Sequence, residues 1–337
     1  MKNILITGGA GFIGSNFINH LLTKRDDVNV VNLDALTYAG NLENLKNSEN
    51  NPNYHFVKGD ITDRVALNSV FEKYKIDNVI NFAAESHVDR SILGSEIFFQ
   101  TNVMGTNVLL EVSKKYGVEK FVQVSTDEVY GSLGKEGKFT ENSPINPNSP
   151  YSASKASADL MALAFQRTYG LPVIVTRCSN NYGPFQFPEK LIPLMILNSL
   201  NNKKLPVYGN GLNVRDWIYV VDHNRAVELV WEKGKIGEVY NIGANQEMTN
   251  IEIIKLILNY VGKSEKLIEF IKDRPGHDKR YAIDSTKIET ELGWKPEFRF
   301  DEAIKRTIDW YLENKTWWKR ILNGEYKEYY RLQYEKG

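Results

Sequence analysis

The sequence predicts an α/β fold, a doubly wound parallel sheet joined to a smaller mixed α/β C-terminal lobe. Three observations carry this. Short apolar strands alternate with helical patterns over the first 180 residues, the order that builds a parallel sheet covered on both faces. Gly8, Gly11 and Gly14 stand between the first strand and the first helix, where glycines permit a tight turn and let backbone N–H groups approach a pyrophosphate. Asp34 ends the next strand, at a place where an acidic side chain accepts from a ribose 2′-OH and repels a 2′-phosphate. Together they describe a Rossmann-type sheet that takes NAD in preference to NADP.

The elements follow in order. Residues 2–7 are a short apolar strand, and 14–22 carry a helical period. Residues 28–33 form a second strand ending at Asp34. Strands at 55–58 and 78–83 flank a helix at 65–74, a long helix covers 96–116, a strand covers 120–124, a helix 151–169 and a strand 172–177. Beyond residue 180 the pattern loosens into turns such as Tyr182-Gly183-Pro184 and Gly209-Asn210-Gly211, with short strands at 207–208 and 239–242 and helices at 250–261 and 301–313. The expected division is 1–180 for the dinucleotide domain and 181–337 mainly for a second lobe, with a segment near 212–245, including a strand and helix around 218–231, returning to the first sheet. The tail from Trp317 to Gly337 mixes aromatics with charges of both signs and is expected to be a packed or interface-forming terminal helix.

Composition narrows the function. A chain of 337 residues can bury a large core. Its 42 basic side chains balance 42 acidic ones, which argues against a nucleic-acid partner. The single cysteine, Cys178, excludes an intrachain disulfide and a Cys-based zinc site, and reads as a small buried hydrophobe. His20 and His55 read as structural or surface residues. No apolar run reaches the roughly 18 residues of a membrane span, and no signal-peptide pattern is visible, so a cytoplasmic protein without a membrane partner is expected.

The chemistry concentrates at strand ends. Ser125-Thr126-Asp127-Glu128 closes the apolar run 120–124. Adjacent carboxylates repel, but they suit chemistry that needs one acid and one base on neighbouring atoms. Two close carboxyls can hold one proton between them, because like charges push one pKa up. Tyr151 and Lys155 lie four apart and so face one side of a helix. A free tyrosine, with a pKa near ~10, is a weak base at neutral pH; an adjacent ammonium and an oxidised nicotinamide ring favour its phenolate. Ser125 or Thr126 can orient a substrate oxygen. Residues 83–89, Ala-Ala-Glu-Ser-His-Val-Asp, follow another strand end; the small residues let a cofactor lie close, and Ser86 can donate to it or to substrate. His87 has no His-x-x-x-His partner, and no metal is expected. In the second lobe Arg215, Asn250, Arg274, His277 and Tyr281 are scattered polar residues around turns, more in keeping with surface than with a site. Arginine does, however, grip a diphosphate in a bidentate way that lysine cannot.

The glycine loop, Tyr151/Lys155 and Asn181-Tyr182-Gly183-Pro184 resemble the extended short-chain dehydrogenase/reductase family of nucleotide-sugar enzymes. Within it, residues 34–41 (Asp-Ala-Leu-Thr-Tyr-Ala-Gly-Asn), 83–91, 125–131 (Ser-Thr-Asp-Glu-Val-Tyr-Gly) and 273–278 (Asp-Arg-Pro-Gly-His-Asp) are similar to the dTDP-glucose 4,6-dehydratase branch, and the likeness covers nearly the whole chain. Related epimerases keep the tyrosine and lysine without the carboxylate pair; GDP-mannose dehydratases and UDP-xylose synthases have Ser-Glu there. The resemblance implies an NAD-dependent lyase of deoxysugar biosynthesis, such as that of rhamnose, with Thr126, Asp127, Glu128, Tyr151 and Lys155 catalytic. It implies NAD contacts at Gly8, Gly11, Phe12, Ile13, Gly14, Asp34, Thr37, Asp60, Ile61, Ala83, Thr101, Tyr151, Lys155 and Asn181. It implies nucleotide-sugar contacts at Ser86, Thr126, Asn180, Lys190, Leu191, Pro206, Tyr208, Arg215, Asn250, Arg274 and His277, with Arg215 and Arg274 on the diphosphate. It also implies a homodimer joined by a four-helix bundle from the helices near 96–116 and 151–169. The rival readings are a nucleotide-sugar 4-epimerase or a UDP- or GDP-sugar dehydratase of the same fold and, from another class, a non-catalytic NAD-sensing regulator.

Overall fold

The computed structural model describes residues 1–322. The chain runs β1 (Lys2–Thr7), α1 (Phe12–Lys24), β2 (Val28–Asp34), β3 (Tyr54–Lys58), α2 (Arg64–Tyr74), β4 (Asn78–Asn81), α3 (Val88–Leu93) and α4 (Glu96–Phe98). A π-helical stretch, Phe99–Gly105, leads into α5 (Thr106–Tyr116), β5 (Lys120–Thr126), α6 (Pro150–Tyr169) and β6 (Val173–Cys178). Then come β7 (Asn180–Tyr182), α7 (Leu191–Leu200), β8 (Leu205–Tyr208), β9 (Val214–Tyr219), α8 (Val220–Lys233) and β10 (Val239–Ile242). The chain continues through β11 (Glu247–Thr249), α9 (Asn250–Tyr260), β12 (Ile268–Ile271), α10 (Thr286–Leu292), α11 (Phe300–Glu313) and α12 (Lys315–Leu322).

The large sheet has the order β10-β6-β5-β4-β1-β2-β3, with every neighbouring pair parallel. Alternation along β1 shows how both faces are buried: Ile4 and Ile6 join Phe17, Ile18, Val227 and Trp231 under α1 and α8, whereas Leu5 joins Leu67, Phe71, Leu109 and Phe165 under α2, α5 and α6. The order reverses between β1 and β4, so a crevice opens beyond their carboxyl ends. The residues that follow β1 and β4, Gly8 and Ala83, meet there: a Cβ on Gly8 would lie 2.6 Å from Ala83 N. The predicted strand 78–83 ends at Asn81, and residues 82–86 line a cavity beyond it.

The second lobe has its own core, in which Ile192, Leu197, Trp217, Ile254, Ile304 and Tyr311 pack together. Its strands pair β9 with β7 and β11, and β8 with β12. The expected return to the first sheet is made by α8, which packs on α1, β5 and β6, and by β10, which lies beside β6. The strand before α8 does not return; β9 stays in the three-stranded sheet. Trp317 and Trp318 of α12 are buried in the second core, so the start of the aromatic tail packs inward; residues 323–337 of that prediction lie outside the described residues.

Candidate active site

The glycine turn is shaped for close approach. Gly8 has φ +68°, and a Cβ on Gly14 would lie 2.4 Å from the Gly8 carbonyl oxygen and 2.8 Å from Gly9 Cα. α1 therefore starts against β1, and its first turn, with Phe12 and Ile13, has no side-chain cap. Uncapped N–H groups at a helix start suit an anion. At the end of β2, Asp34 accepts from Ala10 N and Leu36 N, both at 2.8 Å, and its carboxylate oxygens keep further lone pairs. A cavity of about 140 Å³ joins Gly8 and Gly11 to Asp34, Thr37, Asp60, Ile61, Ala83 and Thr101. A second, of about 230 Å³, joins Gly8, Gly11, Phe12, Ile13 and Gly14 to Thr126, Glu128, Tyr151, Lys155 and Asn181. Ser125 Oγ, Ser179 Oγ and Asn181 Oδ1, from residues in its wall, are buried without hydrogen-bond partners among the described residues. The residues present fit a dinucleotide: an acidic group for a ribose, open helix N–H groups for a pyrophosphate, and unpaired polar atoms beside Tyr151.

β5 ends at Thr126, whose Oγ1 accepts from Glu128 N at 3.2 Å and starts a tight turn. That turn gives its two carboxyls opposite surroundings. Glu128 is half-buried and lines both the 230 Å³ cavity and a third one of about 160 Å³. Asp127 is 1% exposed and accepts from Thr126 Oγ1 at 3.3 Å, while its Oδ2 has no partner among the described residues. Alone among the expected catalytic residues, it lines none of these three cavities. Burial, then the charges of Glu128 and Asp216, push the Asp127 carboxyl well above the carboxylate range. Burial also raises Glu128, but Arg274, Arg215 and Lys190 oppose it. The proton of the pair thus belongs on Asp127 and the charge on Glu128.

Tyr151 and Lys155 come from the first turns of α6, which is fixed by Pro150 and by a reciprocal cap between Ser149 and Ser152. Tyr151 and Thr126 line the same cavity wall. Burial and the Glu128 charge raise the Tyr151 phenol well above the ordinary value, while Lys155 Nζ donates to the Val124 carbonyl at 2.8 Å and is itself lowered by burial. Cys178, expected as a plain core residue, is buried but also lines the 230 Å³ cavity.

The 160 Å³ cavity lies between the lobes. It brings together Ser86, Asn180, Lys190, Leu191, Pro206, Tyr208, Arg215, Asn250, Arg274 and His277, so four of the five polar residues that looked scattered in sequence converge, and Tyr281 packs against Arg215 outside the lining. Arg215 is buried, lies over the Tyr281 ring at 4.3 Å and donates to the Val214 and Asp278 carbonyls. Sequence reasoning missed Glu189, a buried wall residue bonded to Arg90 at 3.0 Å and Tyr38 at 2.8 Å. Its partners lie 99 and 151 positions away, so no local pattern announces it. His87 caps α3 through Nδ1 and meets the Glu189 carbonyl through Nε2; burial lowers its pKa, which keeps the ring neutral. Among the described residues, no group of three or more His, Cys, Asp or Glu could hold a metal ion.

Fold and site together define a dinucleotide-binding α/β protein with a tyrosine–lysine helix, a carboxyl pair and a second, cationic pocket. The sequence model of the GDP-mannose 4,6 dehydratase family matches residues 5–307, and the chain belongs to that family. It is 54% identical to a probable dTDP-glucose 4,6-dehydratase of Sinorhizobium fredii, over 96% of each chain. The crystal structure of dTDP-glucose 4,6-dehydratase from Bacillus anthracis in complex with NAD is 54% identical, with a TM-score of 0.89 over 95% of this chain and 100% of that one. The corresponding enzyme of Streptomyces venezuelae, also with NAD bound, is 49% identical with a TM-score of 0.92, over 95% and 99% of the two chains.

Proposed function

We propose that the protein dehydrates dTDP-glucose to dTDP-4-keto-6-deoxyglucose, with NAD bound and regenerated in each turnover. The observation that carries this reading is the turn after β5, which puts Glu128 in one cavity wall with Thr126, Tyr151 and Lys155 and encloses Asp127 next to it. An epimerase has no use for that pair. The dTDP-glucose dehydratases at about half identity over nearly the full chain favour this substrate over a UDP- or GDP-sugar. A silent NAD sensor would not need the pair together with Tyr151 and Lys155.

When bound, NAD supplies the hydride acceptor for C4 and the donor for C6, and its oxidised ring adds positive charge near Tyr151. Gly8, Gly11, Gly14, Asp34 and the first turn of α1 would hold it. Tyr151 takes the proton of the 4-OH, and Thr126, in the same cavity wall, orients the substrate oxygen. The resulting 4-keto group acidifies C5, from which Glu128 removes the proton. Asp127, which lines none of the three cavities itself, passes its proton to the Thr126 hydroxyl, which gives its own to the departing 6-oxygen, and water leaves. Glu128 returns its proton to C5, and the proton on Tyr151 resets Asp127. No net oxidation occurs. Arg215, Arg274 and Lys190 supply positive charge for the diphosphate.

The reading extends to a homodimer, supported by exposed apolar side chains at Ile97, Phe99, Met104 and Leu160 along the packed helices α4 to α6. It places the protein in the cytoplasm, where a doubly charged nucleotide sugar is retained; among the described residues no helix is long and apolar enough to cross a membrane. Residues 1–180 with α8 and β10 form the dinucleotide domain in this reading. Mass spectrometry after incubation with dTDP-glucose and, separately, UDP-glucose tests it. The expected product has lost one water and forms faster from dTDP-glucose; a product of unchanged mass would point to an epimerase, and faster turnover of UDP-glucose to another base.

A further inference from the structure

The helix α3 begins with His87-Val88-Asp89-Arg90, and the mechanism leaves its aspartate without a task. Asp89 belongs to the first domain, yet it contacts the second lobe twice. Its Oδ1 accepts from Arg274 Nη1 at 2.7 Å, and its Oδ2 accepts from the Tyr208 hydroxyl at 3.0 Å. All three residues line the 160 Å³ cavity. The Asp89 side chain is only 6% exposed, so these bonds are shielded from solvent. The Tyr208 bond fixes the rotation of the carboxylate itself. Arg274 is held through Nη1, while its Nε is buried with no acceptor among the described residues. A guanidinium is a rigid plane of five N–H donors, so fixing one nitrogen sets the direction of the others.

We propose that Asp89 is a positioning residue for the nucleotide diphosphate: it holds the Arg274 guanidinium with its remaining donors turned to the phosphate oxygens. The proposal rests on reading this cavity as the dTDP site. Burial pushes the Asp89 carboxyl up, but Arg274, His87 and the Tyr208 hydroxyl together hold it below the usual carboxylate range, so the tie persists at neutral pH. An arginine already ordered loses less freedom when ligand arrives than a mobile one does.

Calorimetric titration of the purified full-length protein with dTDP and with thymidine tests this, using the unaltered chain, Asp89→Asn, Arg274→Gln and the double variant. Asp89→Asn should weaken dTDP about tenfold or more, the scale of a hydrogen bond to a charged group, and leave thymidine unchanged. Its KM for dTDP-glucose should rise while kcat holds. On the Arg274→Gln background the same change should cost little further affinity, because it acts through Arg274. Equal losses for dTDP and thymidine, or additive losses in the double variant, would make Asp89 a structural tie and overturn the proposal. Should Asp89→Asn not fold, Asp89→Glu keeps the charge but displaces the carboxylate; it must show the same phosphate-dependent loss, and unchanged affinity overturns the proposal. Failure of the unaltered protein to bind dTDP would instead overturn the reading of the cavity, and the proposal with it.

Discussion

At the turn after β5, one peptide unit separates a carboxyl that lines two cavities from one that reaches none of the three. The consequences can be separated by substitution. Glu128→Gln keeps the shape of the side chain but cannot take a proton. It should lower kcat by roughly 10²–10⁴-fold, the usual contribution of a positioned base, while enzyme-bound reduced dinucleotide still accumulates and solvent deuterium enters C5 slowly. Wild-type turnover by this variant would remove the main support for the mechanism. Asp127→Asn should instead slow water loss while C5 exchange persists, read by following deuterium content and product mass in parallel. The pH profile has a definite sign. Glu128 must be ionised, and burial raises its pKa, so activity should fall with acidity before an ordinary glutamate, near pH ~4.3, would titrate; an acid limb at or below that value contradicts its placement. Spacing made Tyr151, Lys155 and the carboxyl pair legible in the sequence. It could not show that Asp127 is enclosed, because adjacent residues carry no signal for which of them the chain turns inward.

Elements were legible where one period dominates and obscure where packing decides. The glycine turn is the clearest case. Gly14→Ala would place a Cβ 2.4 Å from the Gly8 carbonyl oxygen, and backbone on both sides leaves it nowhere to go. α1 must shift, so the substitution should cost on the order of 1–3 kcal/mol and strip bound dinucleotide from the purified protein. Unchanged thermal midpoint and cofactor absorbance would show that the turn is looser than described. The helix at 96–116 was legible as a helix, yet its middle is π-helical over Phe99–Gly105, a widening that no apolar period records. That stretch carries Thr101 into the cofactor cavity and Asn102 into bonds with Glu85 and Ser154. α7 escaped notice for the opposite reason: Ile192, Leu194, Met195, Ile196 and Leu197 are all buried, so its sequence is apolar on every side and shows no periodic face.

For the whole molecule the expected return of residues 212–245 to the first sheet is made by α8 and β10, whereas β9, the strand expected to return with α8, stays in the second lobe. Strand pairing at such sequence separation has no local signature, so the pattern around 218–231 marked the return without showing which strand makes it. The outer helices give one prediction at this scale. Leu160 is 55% exposed on α6, and Leu160→Arg should convert a dimer to a monomer in sedimentation; an unchanged mass would put the interface elsewhere. The returning helix gives another. His223 of α8 is fully buried, and neither ring nitrogen has a partner among the described residues. Burial lowers its pKa from 6.5 to about 3. In the unfolded chain the ring takes a proton below about 6.5, whereas in the folded protein it stays neutral until about 3, so the unfolded state binds more protons between those limits. Stability must therefore fall as the pH drops through this window and be insensitive to His223 above it. His223→Leu removes the titration without opening a large cavity. Between pH 7 and pH 5 the unaltered protein should lose about 2 kcal/mol more than this variant, measured by denaturant unfolding at each pH. Parallel losses would mean that the ring is charged or hydrated in the folded protein, and that α8 is not sealed against the sheet at this position.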